Sequence, residues 1–323
     1  MRQIHFALLV IFVLSGCGRG DRPPSGKSPP SPDGRQTNAA GSLTETRRGF
    51  QTTLAPRPSD KQPVPDPPPG LFRTVRYESP AGKLAAYLTP DPKDGKKHPS
   101  IIWITGGDCN SIDQGCWKEG PPNNDQSASA FRKAGIVMMF PSLRGGNDNP
   151  GRKEGFLGEV DDVLAAAEYL GKQEFVDPNR IYLGGHSTGG TVVLLVAESS
   201  DRFRAVFSFG PADNVAGYGP EFLPFNSANP REIELRSPGR WLASIKSPTF
   251  VFEGTVQGNI QSLRAMAKAS TNPKAHFLPV RGASHFSLLA PTTRLIAAKI
   301  LQDNGTECNL TFTEEEVSKS LAK

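Results

Sequence analysis

Short runs of apolar residues alternate along the chain with segments whose apolar residues recur every three or four positions. Residues 100–105 and 135–140 are almost continuously apolar, as expected for strands that are buried on both faces of a sheet. Residues 159–170 have the helical repeat, with apolar side chains at Val160, Val163, Leu164, Ala167 and Leu170. The same patterns predict further strands at 181–183, 205–209, 248–252 and 275–280, and further helices at 127–133, from 191 onward, at 260–269 and at 291–303.

Two earlier runs, residues 72–77 and 83–88, alternate between apolar and polar positions around a turn that contains Pro80 and Gly82. They predict a β-hairpin. Strands and helices of this length in alternation predict the α/β class, with a mainly parallel central sheet, helices on both faces and the hairpin at one edge. Ligand sites in such sheets lie at the carboxyl ends of the strands.

The first 17 residues have the pattern of a targeting segment. Arg2 supplies a positive charge, residues 6–14 are apolar but too few to span a bilayer, and Leu14-Ser15-Gly16-Cys17 resembles the lipobox of bacterial lipoproteins. We therefore expect a signal peptide over 1–17 and a lipid anchor to the membrane at Cys17, with an ordinary secretory signal as the alternative. Gly18 replaces the aspartate that is linked with inner-membrane retention, which favours the outer membrane or cell surface of a bacterial envelope.

Composition divides the rest of the chain. Residues 18–70 are rich in Pro, Ser and Gly and have few large apolar side chains, which predicts a disordered tether. The folded domain is then expected over 71–304, followed by a tail over 305–323. The net charge of +5 comes without a basic run interleaved with aromatic residues, so nucleic acid is not expected as a partner.

Three cysteines remain after Cys17. Cys109 and Cys116 share one loop, and in an oxidising compartment they are the pair expected to form a disulfide, with Cys308 left over. The sequence has no C-x-x-C motif and no histidine pair at metal-ligand spacing, so we expect neither a structural zinc nor another cofactor.

The strongest chemical signal is Gly185-His186-Ser187-Thr188-Gly189, between a predicted strand and a predicted helix. The G-x-S-x-G pattern is that of a nucleophile elbow, in which a tight turn lifts the serine above the sheet and the glycines remove steric clashes. The start of the following helix offers backbone N–H groups to an anion. A glycine-rich turn for phosphate is the alternative interpretation.

A serine hydroxyl needs a base to become a nucleophile. His285 is the candidate, because it follows the last predicted strand in the loop Gly282-Ala283-Ser284-His285-Phe286 and lies downstream of the serine. The other histidines lie in the targeting segment, before or inside a strand, or within the elbow itself.

With these motifs in place, the chain resembles an α/β-hydrolase, and within that fold the dienelactone hydrolases and the catalytic domain of prolyl oligopeptidases. The resemblance covers residues 71–303 and rests on the segments 105–108, 141–146, 158–162, 176–181, 185–190, 237–238, 245–249 and 282–286. It implies a serine hydrolase with a Ser-His-acid triad that transfers an acyl group to water. We do not expect the β-propeller of prolyl oligopeptidases, because the region before residue 71 is too short for one.

The third triad member departs from the pattern of the family. The resemblance implies an aspartate three residues after Gly254, but Gln257 stands there, and a glutamine cannot stabilise an imidazolium as a carboxylate does. Glu253, at the end of a predicted strand, is the preferred acid, and Asp213 is the second candidate. If neither serves, Ser187 and His285 would act as a dyad.

The oxyanion hole needs two N–H donors. We predict the backbone N–H groups of Thr188, the residue after the nucleophile, and of Gly107, in the loop after the strand at 100–105. Asp108 in the same loop has no explanation at this level, because it brings a negative charge close to a site that develops one.

The predicted substrate is a small ester or peptide, with an ester preferred because neither a propeller nor an acidic specificity loop indicates a peptide amine. The segment 211–240, with Phe222, Phe225 and Trp241 nearby, could line an apolar acyl pocket. A non-catalytic binding protein on a hydrolase scaffold is the competing hypothesis, and Gln257 at the expected acid position is its best support.

Overall fold

In the computed structural model, which describes residues 42–57 and 61–321, eight strands form one sheet in the order β1-β2-β4-β3-β5-β6-β7-β8. The pairs β1–β2 and β2–β4 are antiparallel, and all other neighbours are parallel. The strands are β1 Arg73–Ser79, β2 Gly82–Leu88, β3 His98–Ile104, β4 Val137–Pro141, β5 Val176–His186, β6 Val206–Phe209, β7 Thr249–Gly254 and β8 Ala275–Val280. The predicted α/β class, the mainly parallel sheet and the hairpin at its edge are confirmed.

Helices cover both faces of the sheet. They are α1 Leu43–Arg47, α2 Ser129–Lys133, α3 Glu159–Gly171, α4 Thr188–Ser199, α5 Pro230–Glu234, α6 Ile260–Ala269, α7 Leu289–Gln302 and α8 Glu314–Ser320. Within the described residues, no helix combines the length and the apolar character needed to cross a bilayer.

The buried strands contribute to two cores because successive side chains point to opposite faces of a sheet. Ile102 and Ile104 of β3 belong to a core that also contains apolar residues of α3, α4 and α6. Ile101 and Trp103 belong to a second core on the other face, which α2, α7 and α8 cover. The continuous apolar pattern of β3 and β4 follows from this burial on both sides.

The segment before β1 differs from the predicted tether over 18–70. Ser42 caps α1, and Leu43 is fully buried in the first core. The hydroxyl of Tyr87 donates to the carbonyl oxygen of Pro65 at 2.6 Å, and Val64 packs on the second core. The prediction of a tether is therefore wrong for the described part of this segment, which docks through single apolar residues and polar contacts that composition does not reveal. The predicted signal peptide and Cys17 lie outside the described residues.

The predicted tail over 305–323 also packs on the domain as far as residue 321. Phe312 lies against Phe250 and Phe252, with ring centroids 4.8 and 5.6 Å apart, and Val317 of α8 is fully buried. Thr313 caps α8 and accepts a hydrogen bond from the N–H of Glu316. The folded unit thus extends beyond the predicted boundary at 304 because these apolar side chains complete the second core.

The expected disulfide between Cys109 and Cys116 is not formed, and both thiols are free and buried. Cys109 belongs to the first core and Cys116 to the second, so the short loop between them spans the two faces of the sheet. Cys308 is also free.

Candidate active site

The nucleophile elbow joins β5 to α4. Ser187 has φ 57° and ψ −115°, a left-handed conformation that costs energy for a residue with a side chain. The tight turn brings Gly189 against the carbonyl oxygens of Ile104 and Thr105, where a Cβ atom would collide with the backbone. The N–H of Ser187 donates to the carbonyl oxygen of Phe209 at 2.7 Å, which fixes the turn to β6.

His285 and Glu253 meet at the same edge of the sheet. Glu253 is the second-last residue of β7, its side chain is fully buried, and its Oε2 lies 2.8 Å from Nδ1 of His285. Oε2 also accepts the N–H of Asn259 at 3.1 Å, and Oε1 accepts the N–H of Gly254 at 2.7 Å. The carboxylate is therefore held rigidly, and Nδ1 must carry its proton toward Glu253, which leaves Nε2 available as a base.

Gln257, which stands where the resemblance implies an aspartate, contacts His285 through its main chain. The backbone carbonyl of Gln257 accepts the N–H of His285 at 3.1 Å, so this residue supports the histidine loop through its main chain. Asp213 lies elsewhere, because its Oδ1 accepts the hydroxyl of Ser262 at 2.7 Å. Of the two candidate acids, the structure brings Glu253 to His285 and leaves Asp213 paired with α6.

Two glycines make room for the imidazole. Gly210 follows β6 with φ +58°, and a Cβ atom there would overlap Cε1 of His285 and lie 2.6 Å from Oε2 of Glu253. At Gly258, with φ +106°, a Cβ atom would lie 2.6 Å from that of His285. Phe209 binds the N–H of Ser187 and Gly210 faces the ring of His285, so the nucleophile and the base both contact the dipeptide 209–210.

Sequence reasoning set His186 aside as a residue of the elbow, but the structure gives it a role in placing the base. Its Nε2 lies 2.9 Å from the backbone carbonyl oxygen of His285, and its Nδ1 lies 3.1 Å from the side-chain Oε1 of Gln126. Burial, followed by the proximity of His285, lowers the pKa of His186 to about 3, so its ring is neutral. The backbone carbonyl oxygen of His285 can only accept, whereas the amide of Gln126 can turn its NH2 group toward Nδ1. In the neutral ring, Nε2 of His186 therefore carries the proton and donates it to the main chain of the base.

Within the described residues, no hydrogen bond joins the hydroxyl of Ser187 to His285. Catalytic hydrogen bonds are often formed only when substrate is bound, so this geometry fits a resting site. The rings of His186 and His285 lie 4.5 Å apart, which places the imidazole beside the residue that precedes the nucleophile.

The two predicted oxyanion donors belong to loops that are tied together. The hydroxyl of Thr188 donates to the carbonyl oxygen of Gly107 at 2.9 Å, and Gly107 has φ +76°. Gly106 approaches the elbow so closely that a Cβ atom would lie 3.2 Å from Cβ of Ser187. The loop of Gly106 and Gly107 therefore lies against the elbow, and the role of the N–H groups of Thr188 and Gly107 in binding an oxyanion stays a prediction.

The charge of Asp108, which sequence reasoning left unexplained, is paired in the structure. Nζ of Lys153 lies 2.7 Å from Oδ1, and the hydroxyl of Ser111 donates to Oδ2 at 2.7 Å. Both charged side chains are partly exposed, so solvent screens the pair. Lys153 nevertheless offsets a negative charge beside the predicted oxyanion site.

Aromatic side chains of the segment 211–240 lie beside the nucleophile helix. The hydroxyl of Tyr218 lies 2.7 Å from Oγ1 of Thr191, whose own N–H donates to the carbonyl oxygen of Ser187 at 2.9 Å. Tyr218 packs against Phe156 and Phe222 with ring centroids 5.3 Å away in each case. Phe222 is 38% exposed and can contact a ligand.

The other two predicted pocket residues are core residues instead. Phe225 and Trp241 are buried, with the guanidinium of Arg236 above the ring of Phe225 and the indole N–H of Trp241 bonded to the carbonyl of Glu234. Within the described residues, no group of three His, Cys, Asp or Glu side chains is arranged to hold a metal ion.

Comparison with known proteins finds local similarity to peptidases. Residues 122–255, which contain Ser187 and Glu253, match the model of the prolyl oligopeptidase family. The dual function macrocyclase-peptidase of Galerina marginata is 33% identical over 66 residues, which cover 19% of this chain and 9% of that protein. Dipeptidyl peptidase 8 of Mus musculus is 28% identical over 166 residues, or 46% of this chain and 17% of that protein.

Among solved structures, a puromycin-hydrolyzing peptidase of Mycobacterium tuberculosis superposes on 76% of this chain with a TM-score of 0.58 and 22% sequence identity. The match covers 42% of that protein, and the chain spans less than a fifth of the length of either relative above. The chain therefore has the α/β-hydrolase fold, carries the residues of a serine hydrolase, and resembles the prolyl oligopeptidase family over its central 134 residues, 122–255.

Proposed function

We propose that this protein is a serine peptidase that cleaves an amide bond of a small peptide by acyl transfer from Ser187 to water. The observation that carries the proposal is the bond of 2.8 Å between Glu253 and His285 next to the strained elbow of Ser187. A scaffold without catalysis has no need for a fully buried carboxylate aimed at a histidine or for a nucleophile held at positive φ.

In the reaction, Nε2 of His285 takes the proton of Ser187 as the hydroxyl oxygen attacks the carbonyl carbon. Glu253 stabilises the imidazolium that forms and keeps the ring in the correct tautomer. The N–H groups of Thr188 and Gly107 stabilise the oxyanion. His285 then protonates the leaving amine, and a water molecule repeats the sequence on the acyl-enzyme.

Peptides are preferred over esters as substrates because the matched family and the named relatives are peptidases. The ester preference in the sequence analysis rested on the lack of features, whereas this preference rests on similarity over the nucleophile and the acid. The exposed Phe222, with Tyr218 and Phe156 behind it, supports an apolar side chain on the acyl residue of the substrate.

The test is a kinetic comparison of blocked amino-acid p-nitroanilides with p-nitrophenyl esters of the same acyl groups. We expect both to be cleaved by the wild type, the anilides with kcat/KM at least one tenth of the esters, and neither by Ser187→Ala. Cleavage of the esters alone would favour an esterase. Failure to cleave any substrate, with the fold intact, would favour a binding protein.

We also propose that Cys17 carries a lipid that anchors the protein in a bacterial cell envelope, on the basis of the lipobox-like sequence. Two acyl chains suffice for stable anchoring. The protein should incorporate labelled palmitate and partition into the detergent phase, and Cys17→Ser should abolish both. An unlabelled, soluble wild-type protein would contradict the proposal.

A further inference from the structure

A stretch of residues 50–57, here called the strap, lies along the segment 211–240 that borders the candidate site. Leu54 and Phe225 form an antiparallel β-bridge, and the N–H of Ala55 donates to the carbonyl oxygen of Pro224 at 2.8 Å. The hydroxyl of Thr52 donates to the carboxylate of Glu232 at 3.0 Å. The strap thus contacts this segment through both its main chain and its side chains.

The end of the strap makes the densest set of contacts. Arg57 donates from Nη1 to the carbonyl oxygen of Phe222 at 3.1 Å and from Nη2 to that of Leu223 at 2.6 Å. Nη2 also lies 3.4 Å from the carbonyl oxygen of Pro220. A guanidinium is a rigid planar fork, so a single side chain binds three carbonyl oxygens within the four residues 220–223.

These carbonyls belong to the turn that presents Phe222. The ring of Phe222 is partly exposed and packs on Tyr218, and Tyr218 is bonded to Thr191 in the first turn of the nucleophile helix. Arg57 therefore holds the main chain of the exposed aromatic residue, while Tyr218 connects that residue to the elbow.

The catalytic groups are held by other parts of the chain. Glu253 belongs to β7 and His285 to the loop after β8, and the bonds that position them come from Gly254, Gln257, Asn259 and His186. A change in the strap should consequently alter the position of Phe222 without disturbing the triad.

We propose that the strap, through Arg57, positions Phe222 and so determines how strongly the enzyme selects a large apolar side chain on the acyl residue of its substrate. This inference rests on the proposed function. Arg57 is a positioning residue, since its guanidinium binds the backbone of the segment rather than the substrate. The effect should appear in KM for large acyl residues and leave kcat for small ones unchanged.

The experiment compares kcat/KM of the full chain for N-blocked phenylalanine and alanine p-nitroanilides. Discrimination by an apolar pocket amounts to about 10-fold or more, and we expect Arg57→Ala to lower the ratio of the phenylalanine to the alanine substrate by roughly that factor. Arg57→Lys, which can still donate to the carbonyls, should restore part of the ratio. Arg48→Ala is the matched control, because Arg48 precedes the strap and lines a separate cavity with residues of α1 and α3.

A second variant separates positioning from folding. Phe222→Ala should lower the ratio without touching the strap, and the double variant should be no worse than either single one, because both act through the same side chain. Fluorophosphonate labelling of Ser187 should be equal in the wild type and in Arg57→Ala, which shows that the triad is intact.

Three outcomes would overturn the role of the strap and leave the proposed function standing. They are a substrate ratio in Arg57→Ala within twofold of the wild type, an equal loss of kcat/KM on both substrates, and additive effects in the double variant. A wild type that neither labels nor cleaves would refute the proposed function, and this inference with it.

Discussion

Replacement of Glu253 by glutamine tests the acid of the triad. The carboxylate is fully buried and its Oε2 lies 2.8 Å from Nδ1 of His285, so it faces the imidazolium without intervening water. With charge centres about 4 Å apart and an effective dielectric constant of about 20, the attraction is about 4 kcal/mol. At 1.36 kcal/mol per factor of ten, this corresponds to about a thousandfold in rate.

Glu253→Gln keeps the size of the side chain and removes its charge. We expect kcat to fall by about 10² to 10⁴ because the transition state loses the stabilised imidazolium and the amide can favour the wrong tautomer. KM should change little, since Glu253 lies behind the histidine rather than against the substrate. Steady-state hydrolysis of a p-nitrophenyl ester and of a p-nitroanilide measures both constants.

Two other positions provide controls. Gln257→Ala and Asp213→Asn should each stay within threefold of the wild type, because the former contributes its main chain to His285 and the latter is bonded to Ser262. The assignment of Glu253 as the triad acid would be refuted by a kcat of Glu253→Gln within threefold of the wild type. It would also be refuted if Asp213→Asn lost as much kcat as is expected for Glu253→Gln.

Three other properties follow from the structure. Gly210→Ala should reduce kcat at least a hundredfold, measured with the same ester, because a Cβ atom there would displace the ring of His285; wild-type activity in a folded variant would contradict the geometry. Glu198 in α4 is buried, and neither carboxylate oxygen has a hydrogen-bond partner in the described structure, so burial raises its pKa well above 4.5. The unfolded chain releases this proton near pH 4.5 and the folded chain retains it, so stability should fall as pH rises from there toward the folded pKa, by up to about 1.4 kcal/mol per pH unit. Glu198→Gln should flatten this slope in urea titrations between pH 5 and 8, and parallel profiles would contradict the burial of an unpaired carboxyl. Non-reduced protein unfolded in urea should alkylate at all three thiols of the described chain, whereas the native protein should protect the two buried ones, whose burial raises their pKa; a disulfide-linked peptide would contradict the free state of Cys109, Cys116 and Cys308.

Much of the fold could be predicted because its signals are local. The apolar runs of β3 and β4 and the helical repeat of α3 each depend on a few adjacent residues, and α6 and β8 have the predicted bounds. Ser187 and His285 were identifiable for a similar reason, since a short motif and a strand-end loop carry them.

The rest depends on contacts between distant residues. His186 and the carbonyl of His285 are 99 positions apart in the sequence. Gly210 and Gly258 make room for the imidazole of His285, but in the sequence they are only two glycines among many. The strap was missed because Thr52 and Arg57 bind backbone and polar groups, which leave no apolar repeat. For this reason, composition alone predicted a disordered tether where the strap packs on the folded domain.

The central claim is that Ser187 is an activated nucleophile, and covalent labelling measures this most directly. The wild-type protein, treated with a fluorophosphonate and digested, should give a single phosphonylated peptide that contains Ser187. Ser187→Ala should give none, and Glu253→Gln should label more slowly by a factor similar to its loss of kcat. An unlabelled folded wild type, or a label on another serine, would contradict the account.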